Sequence, residues 1–269
     1  MSNRLRTGAA FAAASLLALC AGQAWSQNPA PVSNEAAPRE ALAAALAKQK
    51  ALVEADKLHP HMGGVWKISA YVAALKTVDG KLPPLNGEGS KLYKKHIADK
   101  KAGKSEDLTE VCLPAGTPRA MYQDMPFVLT QTPAKITIFH QFNHIVRHAF
   151  MDGPLTNMAD LDPNWGGYSS ARWEGDTLVI ETGGFNGKLW LDEAGLPQSP
   201  KMKVTERFKL TDGGQTLEDT ILIEDPTYYS KPWTTVATFK RQPKGVELVE
   251  NNCSFKLTPF PLKPYAPGD

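Results

Sequence analysis

The sequence predicts a mainly β fold, either an antiparallel barrel or a strongly curled sheet. From residue 64 onward, short runs rich in β-branched and aromatic residues are separated by Gly, Pro, Asn and Asp. Most of the connections are short enough for hairpins, and almost no helical pattern separates the runs, which favours antiparallel pairing. About 200 residues with this pattern in one domain are most simply closed around an interior.

Ten runs are predicted as strands. In chain order they are 64–68, 127–131, 136–142, 145–151, 169–173, 177–182, 202–210, 217–223, 233–239 and 246–255. Asn143 and His144 predict a two-residue turn, which places His140 opposite Arg147. Gly64 and Trp66 at the head of the first strand weakly resemble the start of lipocalin-like (calycin-like) barrels.

Two segments predict helices. The alanine-rich residues 38–58 form an N-terminal helix in which Leu42, Leu46 and Val53 share one stripe. Residues 89–102 form a short basic helix, whose lysines are interpreted as a solvated face because acidic residues follow at once.

The N-terminus has the pattern of a cleavable secretory signal. Arg4 and Arg6 precede an apolar stretch from residue 9 to residue 21, and small residues at 24 and 26 mark a cleavage site. About 13 apolar residues are too few for a membrane span, which needs about 20. We therefore expect export, with the mature protein periplasmic or secreted.

The cysteines support an oxidising compartment. Cys20 lies within the signal, and a lipid anchor there is disfavoured because Leu19 is too large for the usual attachment motif. Cys112 and Cys253 remain and predict one disulfide bond. The alternative is two unconnected buried thiols.

The predicted organisation is a signal peptide (1–26), a leader and amphipathic helix (27–58), a single barrel-like domain (59–262) and a tail (263–269). Removal of the signal takes away two arginines and no acidic residue, so 28 basic and 28 acidic residues remain. A neutral chain has no electrostatic signature of a nucleic-acid partner. We expect neither nucleic-acid binding nor membrane insertion after signal removal.

Strong catalytic motifs are absent from the sequence. It has no phosphate-binding loop, dinucleotide fingerprint, nucleophile elbow or zinc-type Cys/His spacing. His140, His144 and His148 would share a face on a helix, but the run from 136 alternates like a strand, so the three scatter. We predict no metal site and no cofactor.

One polar residue interrupts an apolar strand face. Period-two alternation puts Glu206 on the same face as Met202, Val204 and Phe208. A buried carboxylate needs a partner, and Arg147, which shares a face with His140, is the natural one. Arg147 can equally bind an anionic or phenolic ligand. A purely structural ion pair is the alternative.

A glycine-rich segment from 162 to 192 combines aromatic and polar side chains. This composition suits the rim of a pocket for a ring-containing ligand. The alternative is that the aromatic residues fill the barrel and the glycines only form turns. The candidate ligand-contacting residues are Trp165, Asn186, Trp190 and Asp192, and Tyr168 of the same segment is a candidate catalytic residue.

Several runs resemble a widespread, largely uncharacterised family of secreted bacterial proteins. They are Cys-Leu-Pro-Ala-Gly-Thr-Pro-Arg-Ala-Met (112–121), Met-Asp-Gly (151–153), Trp-Glu-Gly-Asp-Thr-Leu-Val-Ile (173–180), Gly-Phe-Asn (184–186), Trp-Leu-Asp (190–192), Glu-Arg-Phe (206–208) and Lys-Pro-Trp (231–233). The resemblance covers about residues 60–255 and implies export but no activity. Where the family reads Met-Asp-Gly-Arg-x-His-Pro, this chain has Pro154 directly after Gly153, so chemistry that needs that Arg/His pair is not expected.

Two functions fit these residues. The first is a cofactor-independent lyase, isomerase or decarboxylase acting on a small aromatic or apolar molecule. Glu206 or His140 would move a proton while Arg147 and Tyr168 stabilise negative charge. The second is a binding barrel that carries or sequesters such a molecule. A structural envelope protein is a weaker third alternative.

Overall fold

The structure, a computed structural model, describes residues 36–151 and 161–251. Nine strands form a closed barrel in chain order. They are β1 Gly64–Ile68, β2 Phe127–Gln131, β3 Lys135–His140, β4 Val146–Phe150, β5 Tyr168–Glu174, β6 Thr177–Gly183, β7 Lys203–Thr211, β8 Thr216–Glu224 and β9 Trp233–Arg241. The α-helices of the described segments are α1, Ala36–Asp56, and α2, Gly87–Lys101. This confirms a mainly β barrel with two helices.

The chain divides into two compact units, residues up to Ala44 and residues from Ala45. In the described part of the first unit lies the beginning of α1. In the second lie the rest of α1, α2 and the whole barrel. No helix of the described segments is both long and apolar enough to cross a membrane.

The barrel contains one parallel pair. Each strand pairs antiparallel with the next, and β9 with β1, except for β4 and β5. Each antiparallel pair reverses the strand direction, so a closed ring must contain an even number of antiparallel pairs. A ring with nine pairs therefore contains an odd number of parallel pairs. The β4–β5 pair spans only Ala149↔Ser169 and Phe150↔Ser170. This short pairing positions the site described below.

Alternation along the strands separates the barrel interior from its outside. On β7, Val204, Glu206 and Phe208 are buried, while Lys203, Arg207 and Lys209 are exposed. The same pattern brings the large interior side chains of the other strands into one core, including Trp66, Phe127, Ile138, Ile180, Ile221 and Phe239. Polar side chains on this inner face are therefore enclosed.

The β1–β2, β6–β7 and β8–β9 connections lie at one end of the barrel, and the short β2–β3, β5–β6 and β7–β8 turns lie at the other. The segment between β1 and β2 contains α2, which begins where the Asn86 Oδ1 atom accepts a hydrogen bond from the Gly89 amide at 2.9 Å. A helical turn, Arg119–Tyr122, follows. The Arg119 guanidinium binds both Asp107 carboxylate oxygens at 2.7 and 2.8 Å, which fixes this buried turn.

Two sequence predictions are wrong in detail. The described part of the tenth strand, residues 246–251, is not a strand, because β9 already pairs with both β8 and β1 and leaves no free edge. The β3–β4 connection is longer than two residues, so Arg147 lies opposite Ile138 rather than His140. Asn143 and His144 both adopt left-handed backbone conformations there. The register of β3 against β4 thus differs by two residues from the predicted one. Because side chains alternate with a period of two, the same residues of each strand still face inward.

Several predictions concern residues beyond the described segments. The signal peptide 1–26 and the tail 263–269 lie outside them. Cys112 follows a short helical turn, but Cys253 is outside the described residues, so the disulfide bond stays a prediction.

Candidate functional site

A cavity of about 590 Å³ lies beside the short β4–β5 pairing. Three segments line it: residues 114–120, the 140–150 hairpin and residues 164–169. Since β5 pairs with β4 only at Ala149 and Phe150, the first half of β4 lacks a strand partner on this side within the described chain. The cavity thus occupies a gap in the barrel wall. It is lined both by the inward-facing Arg147 and by the outward-facing His148.

Arg147 and Glu206 form a buried ion pair across the barrel interior. The Arg147 side chain is 6% exposed and that of Glu206 is 0% exposed. Nη1 donates to Glu206 Oε1 at 3.0 Å, and Nη2 donates to Oε2. The pairing and enclosure predicted from strand alternation are confirmed. Glu206 itself does not line the cavity.

Two hydroxyl groups complete the environment of the guanidinium. Arg147 Nε donates to Ser169 Oγ at 3.0 Å and Nη2 donates to Thr182 Oγ1 at 2.7 Å. The two hydroxyl oxygens are themselves 2.9 Å apart. Glu206 matches the charge, and each of the three guanidinium nitrogens donates at least one hydrogen bond. Arg147 therefore lines the cavity in a fixed orientation and with its charge neutralised.

His140 supplies a neutral imidazole to the cavity. It ends β3, is buried, and its ring lies 5.6 Å from that of Phe127. Burial, reinforced by the nearby Arg147 charge, lowers the pKa of His140 to about 3. A neutral imidazole can donate one hydrogen bond and accept another, so His140 can orient a polar ligand group without adding charge.

Tyr168 and Trp165 form the aromatic part of the lining. The Tyr168 hydroxyl donates to the Asp162 carbonyl at 2.8 Å, which fixes the ring. Gly167 has φ +71°, and a side chain there would meet the Gly183 carbonyl oxygen at 2.7 Å. Gly184 makes room for the Tyr168 ring, whose nearest atom would lie 2.9 Å from an added Cβ. The predicted glycine-rich aromatic rim is thus built around Tyr168.

His144 and His148 also line the cavity. The His148 Nδ1 atom is 3.1 Å from Thr137 Oγ1, and the His144 Nε2 atom accepts from the Asn251 amide at 3.2 Å. Over the described segments, no group of three His, Cys, Asp or Glu side chains is arranged to hold a metal ion.

The other three candidate ligand-contacting residues do not line this cavity. Asn186 Oδ1 accepts from the Lys188 amide at 3.1 Å. Trp190 stacks on His96 at 4.4 Å and borders a separate recess of about 140 Å³. Asp192 accepts backbone hydrogen bonds from Leu75, Gly195 and Leu196, which tie two loops together.

Sequence reasoning missed a carboxyl group that, like Glu206, is on the inward face of a barrel strand. Asp219 on β8 is 0% exposed and lies opposite Phe208, one inward position along from Glu206. Neither of its oxygens has a well-formed hydrogen bond within the described chain, although the Arg207 amide lies near enough to favour the charged form. Burial first, and then the Glu206 charge, raises the pKa of Asp219 well above its usual value, with Arg147 and the Arg207 amide opposing. Alternation of Leu217, Asp219, Ile221 and Ile223 carried the same signal that revealed Glu206.

No protein-family model matches this chain, and a search of curated proteins finds no significant match. The resemblance to a secreted bacterial family therefore stays a prediction.

Proposed function

We propose that this protein is an exported barrel that binds a small ring-containing molecule in the cavity between β4 and β5. The observation that carries the proposal is the cavity itself. Its volume of about 590 Å³ falls in the range of small-molecule pockets. Aromatic Trp165, Tyr168 and Phe150 meet the polar groups of His140 and Arg147 there. Such a mixture suits a ring that carries one or two polar substituents.

The charges around the cavity favour a neutral or weakly acidic ligand. Among the described residues, those that line it include no Asp or Glu. Glu206 neutralises Arg147, and His140 is uncharged because burial lowers its pKa to about 3. A cationic ligand would find no compensating carboxylate among these described lining residues, whereas a hydroxyl or carbonyl group can pair with the imidazole.

The second candidate is a cofactor-independent lyase, isomerase or decarboxylase. It is favoured by one observation: His140, Arg147 and Tyr168, three of the four candidate catalytic residues, line the same cavity. Glu206 is less suited to be the base, because both of its oxygens accept hydrogen bonds from Arg147. In this version His140 exchanges the proton with the substrate.

Ligand extraction tests the binding proposal. The protein is purified from its own host without denaturation, then unfolded, and the released small molecules are identified by mass spectrometry. We expect a ring-containing compound in near-stoichiometric amount. The proposal would be contradicted if no such compound is released and if the refolded protein also binds no small molecule from an extract of the host.

The His140→Gln variant distinguishes the binding protein from the enzyme. Glutamine keeps one hydrogen-bond donor and one acceptor, but unlike an imidazole it cannot take up or release a proton. If the protein only binds the compound, both wild type and His140→Gln bind it and neither converts it. In an enzyme the wild type converts the extracted compound and His140→Gln does not, while both bind it. His59→Gln, at an imidazole stacked on Trp173 away from the cavity, is the matched control.

A further inference from the structure

The cavity between β4 and β5 is elongated. Its lining includes Ile145, Val146, Arg147, His148 and Phe150, so it follows the whole length of β4. Each strand residue advances the chain by about 3.3 Å, so the path from Ile145 to Phe150 covers about 16 Å. A single aromatic ring with its substituents is much shorter than this path and would fill only part of the cavity.

His140 marks the end of the cavity that lies at the start of β4. Its backbone amide donates to the Ile145 carbonyl at 2.8 Å. The residue is 3% exposed, yet neither ring nitrogen has a hydrogen-bond partner within the described chain, and neither is sealed from solvent. Both nitrogens therefore face the cavity that His140 lines. The neutral ring offers one donor and one acceptor at this end.

The Thr117 hydroxyl is a further buried polar group in the lining that has no hydrogen-bond partner among the described residues. The segment that carries it is fixed at two points. Asn143 Nδ2 donates to the Leu113 carbonyl at 2.9 Å, and a Cβ added at Gly116 would lie 2.6 Å from the Trp165 carbonyl oxygen. The segment thus runs from the turn after β3 towards the loop before β5, so a ligand that lies along β4 passes Thr117.

The other end of the cavity is aromatic. Because β5 meets β4 only at Ala149 and Phe150, Tyr168 at the beginning of β5 lies at this end. The Tyr168 ring is fixed by the hydrogen bond from its hydroxyl to the Asp162 carbonyl. Phe150 lines the same cavity and keeps 36% of its surface exposed. An apolar ring bound here would remove part of that surface from water.

We propose that the ligand is an elongated compound of at least two linked rings, with a hydroxyl group bound by His140 at one end and a ring packed on Phe150 and Tyr168 at the other. The inference rests on the function proposed for this cavity and narrows its ligand class. A hydroxyl group both donates and accepts, so it pairs with a neutral imidazole. An anionic group gains less, because Glu206 already engages the Arg147 guanidinium.

Equilibrium dialysis of the full chain purified from its host, after removal of any bound compound, tests the inference with three probes. The probes are 4-hydroxybiphenyl, biphenyl and phenol, which carry both features, only the two rings, and only the hydroxyl group. We expect one equivalent of 4-hydroxybiphenyl to bind about tenfold or more tightly than either of the others, since phenol leaves apolar surface uncovered and biphenyl leaves His140 unpaired. This comparison needs no variant.

Two substitutions assign the ends. His140→Leu should weaken the binding of 4-hydroxybiphenyl about tenfold and leave that of biphenyl unchanged, because only the first probe has a hydroxyl group. Phe150→Ala should weaken both two-ring probes and leave phenol unchanged. Val236→Ala, on the exposed face of β9, and His59→Leu, at the imidazole stacked on Trp173 away from the cavity, are the matched controls. Circular dichroism checks that each variant is folded.

The inference is overturned if wild type binds 4-hydroxybiphenyl no more tightly than phenol, or if neither His140→Leu nor Phe150→Ala weakens that binding. It is also overturned if the compound released from the host protein has a single ring, a result that leaves the proposed function intact. Release of a compound with two or more linked rings supports it. If no probe binds and no ring-containing compound is released, the proposed function fails as well.

Discussion

Arg147 and Glu206 join two strands that are not neighbours in the barrel. Arg147 is on β4 and Glu206 is on β7, with β5 and β6 between them in the wall. Ser169 of β5 and Thr182 of β6 bind the same guanidinium. One side chain thus holds four consecutive strands, including the weak parallel pair beside the cavity.

Removal of Arg147 alone should destabilise the protein strongly. Arg147→Met leaves the buried Glu206 carboxylate without its partner, and we expect a loss of about 3–5 kcal/mol in the free energy of unfolding. The double variant Arg147→Met/Glu206→Met should recover most of that loss, because two apolar side chains need no pairing. Denaturant unfolding followed by circular dichroism measures both.

Arg172→Met is the matched control for this pair. Arg172 binds Glu181 at the barrel surface, where both side chains are about half exposed. Its loss should change the free energy of unfolding by less than about 1 kcal/mol. If Arg147→Met and Arg172→Met lowered the free energy of unfolding equally, Arg147 and Glu206 would not be a buried pair that stabilises the barrel.

His140 should make the protein sensitive to acid. Its pKa is about 3 when folded and about 6.5 in an unfolded chain. Between these values the unfolded state binds the extra proton, so stability is lost as the pH falls from about 6.5 towards 3. The contribution is up to about 1.4 kcal/mol per pH unit. The free energies of unfolding of wild type and His140→Gln should therefore diverge across this pH range, because the variant loses less stability as the pH falls. If the two free energies changed in parallel with pH, His140 would not be a buried neutral imidazole.

Asp219 should give a dependence of the opposite sign. Its folded pKa lies well above its usual value, so the folded state keeps a proton that the unfolded chain releases above about pH 3.9. Stability therefore falls as the pH rises from there towards the folded pKa. Relative to wild type, Asp219→Asn should become progressively more stable with rising pH. A stability difference independent of pH would show that Asp219 is not held protonated.

The predicted disulfide between Cys112 and Cys253 has its own test. A bridge closing a loop of about 140 residues contributes up to about 5 kcal/mol in the chain-entropy model. Alkylation of denatured, unreduced protein should find neither thiol free, and reduction should lower the midpoint of thermal unfolding. Two alkylated cysteines in protein recovered from the host would disprove the bridge.

Strand alternation predicted much of this architecture from sequence. It identified the inward positions of Glu206 and Arg147 because period-two burial is a local property of each strand. The register of the β3–β4 hairpin was not predictable in the same way. Asn143 reaches the Leu113 carbonyl at 2.9 Å, and this contact with a distant segment accompanies a longer turn with two left-handed residues.

Loop composition predicted the site only in part. Trp165 and Tyr168 reach the cavity, whereas Asp192 binds backbone amides in another loop. All three are polar or aromatic residues of the same glycine-rich segment, so only their tertiary partners distinguish them. The gap in the wall was also beyond sequence reasoning, since it depends on how few residues β4 and β5 share.

A matched pair of glycine substitutions tests most directly whether the cavity between β4 and β5 holds the ligand. Gly166 lines the cavity and has room for a side chain, whereas Gly87 is on the exposed first turn of α2. Calorimetric titration with the extracted compound should show about one equivalent bound by wild type and Gly87→Trp. Gly166→Trp should retain its fold by circular dichroism and bind at least tenfold more weakly. Unchanged affinity in a folded Gly166→Trp variant would contradict the account.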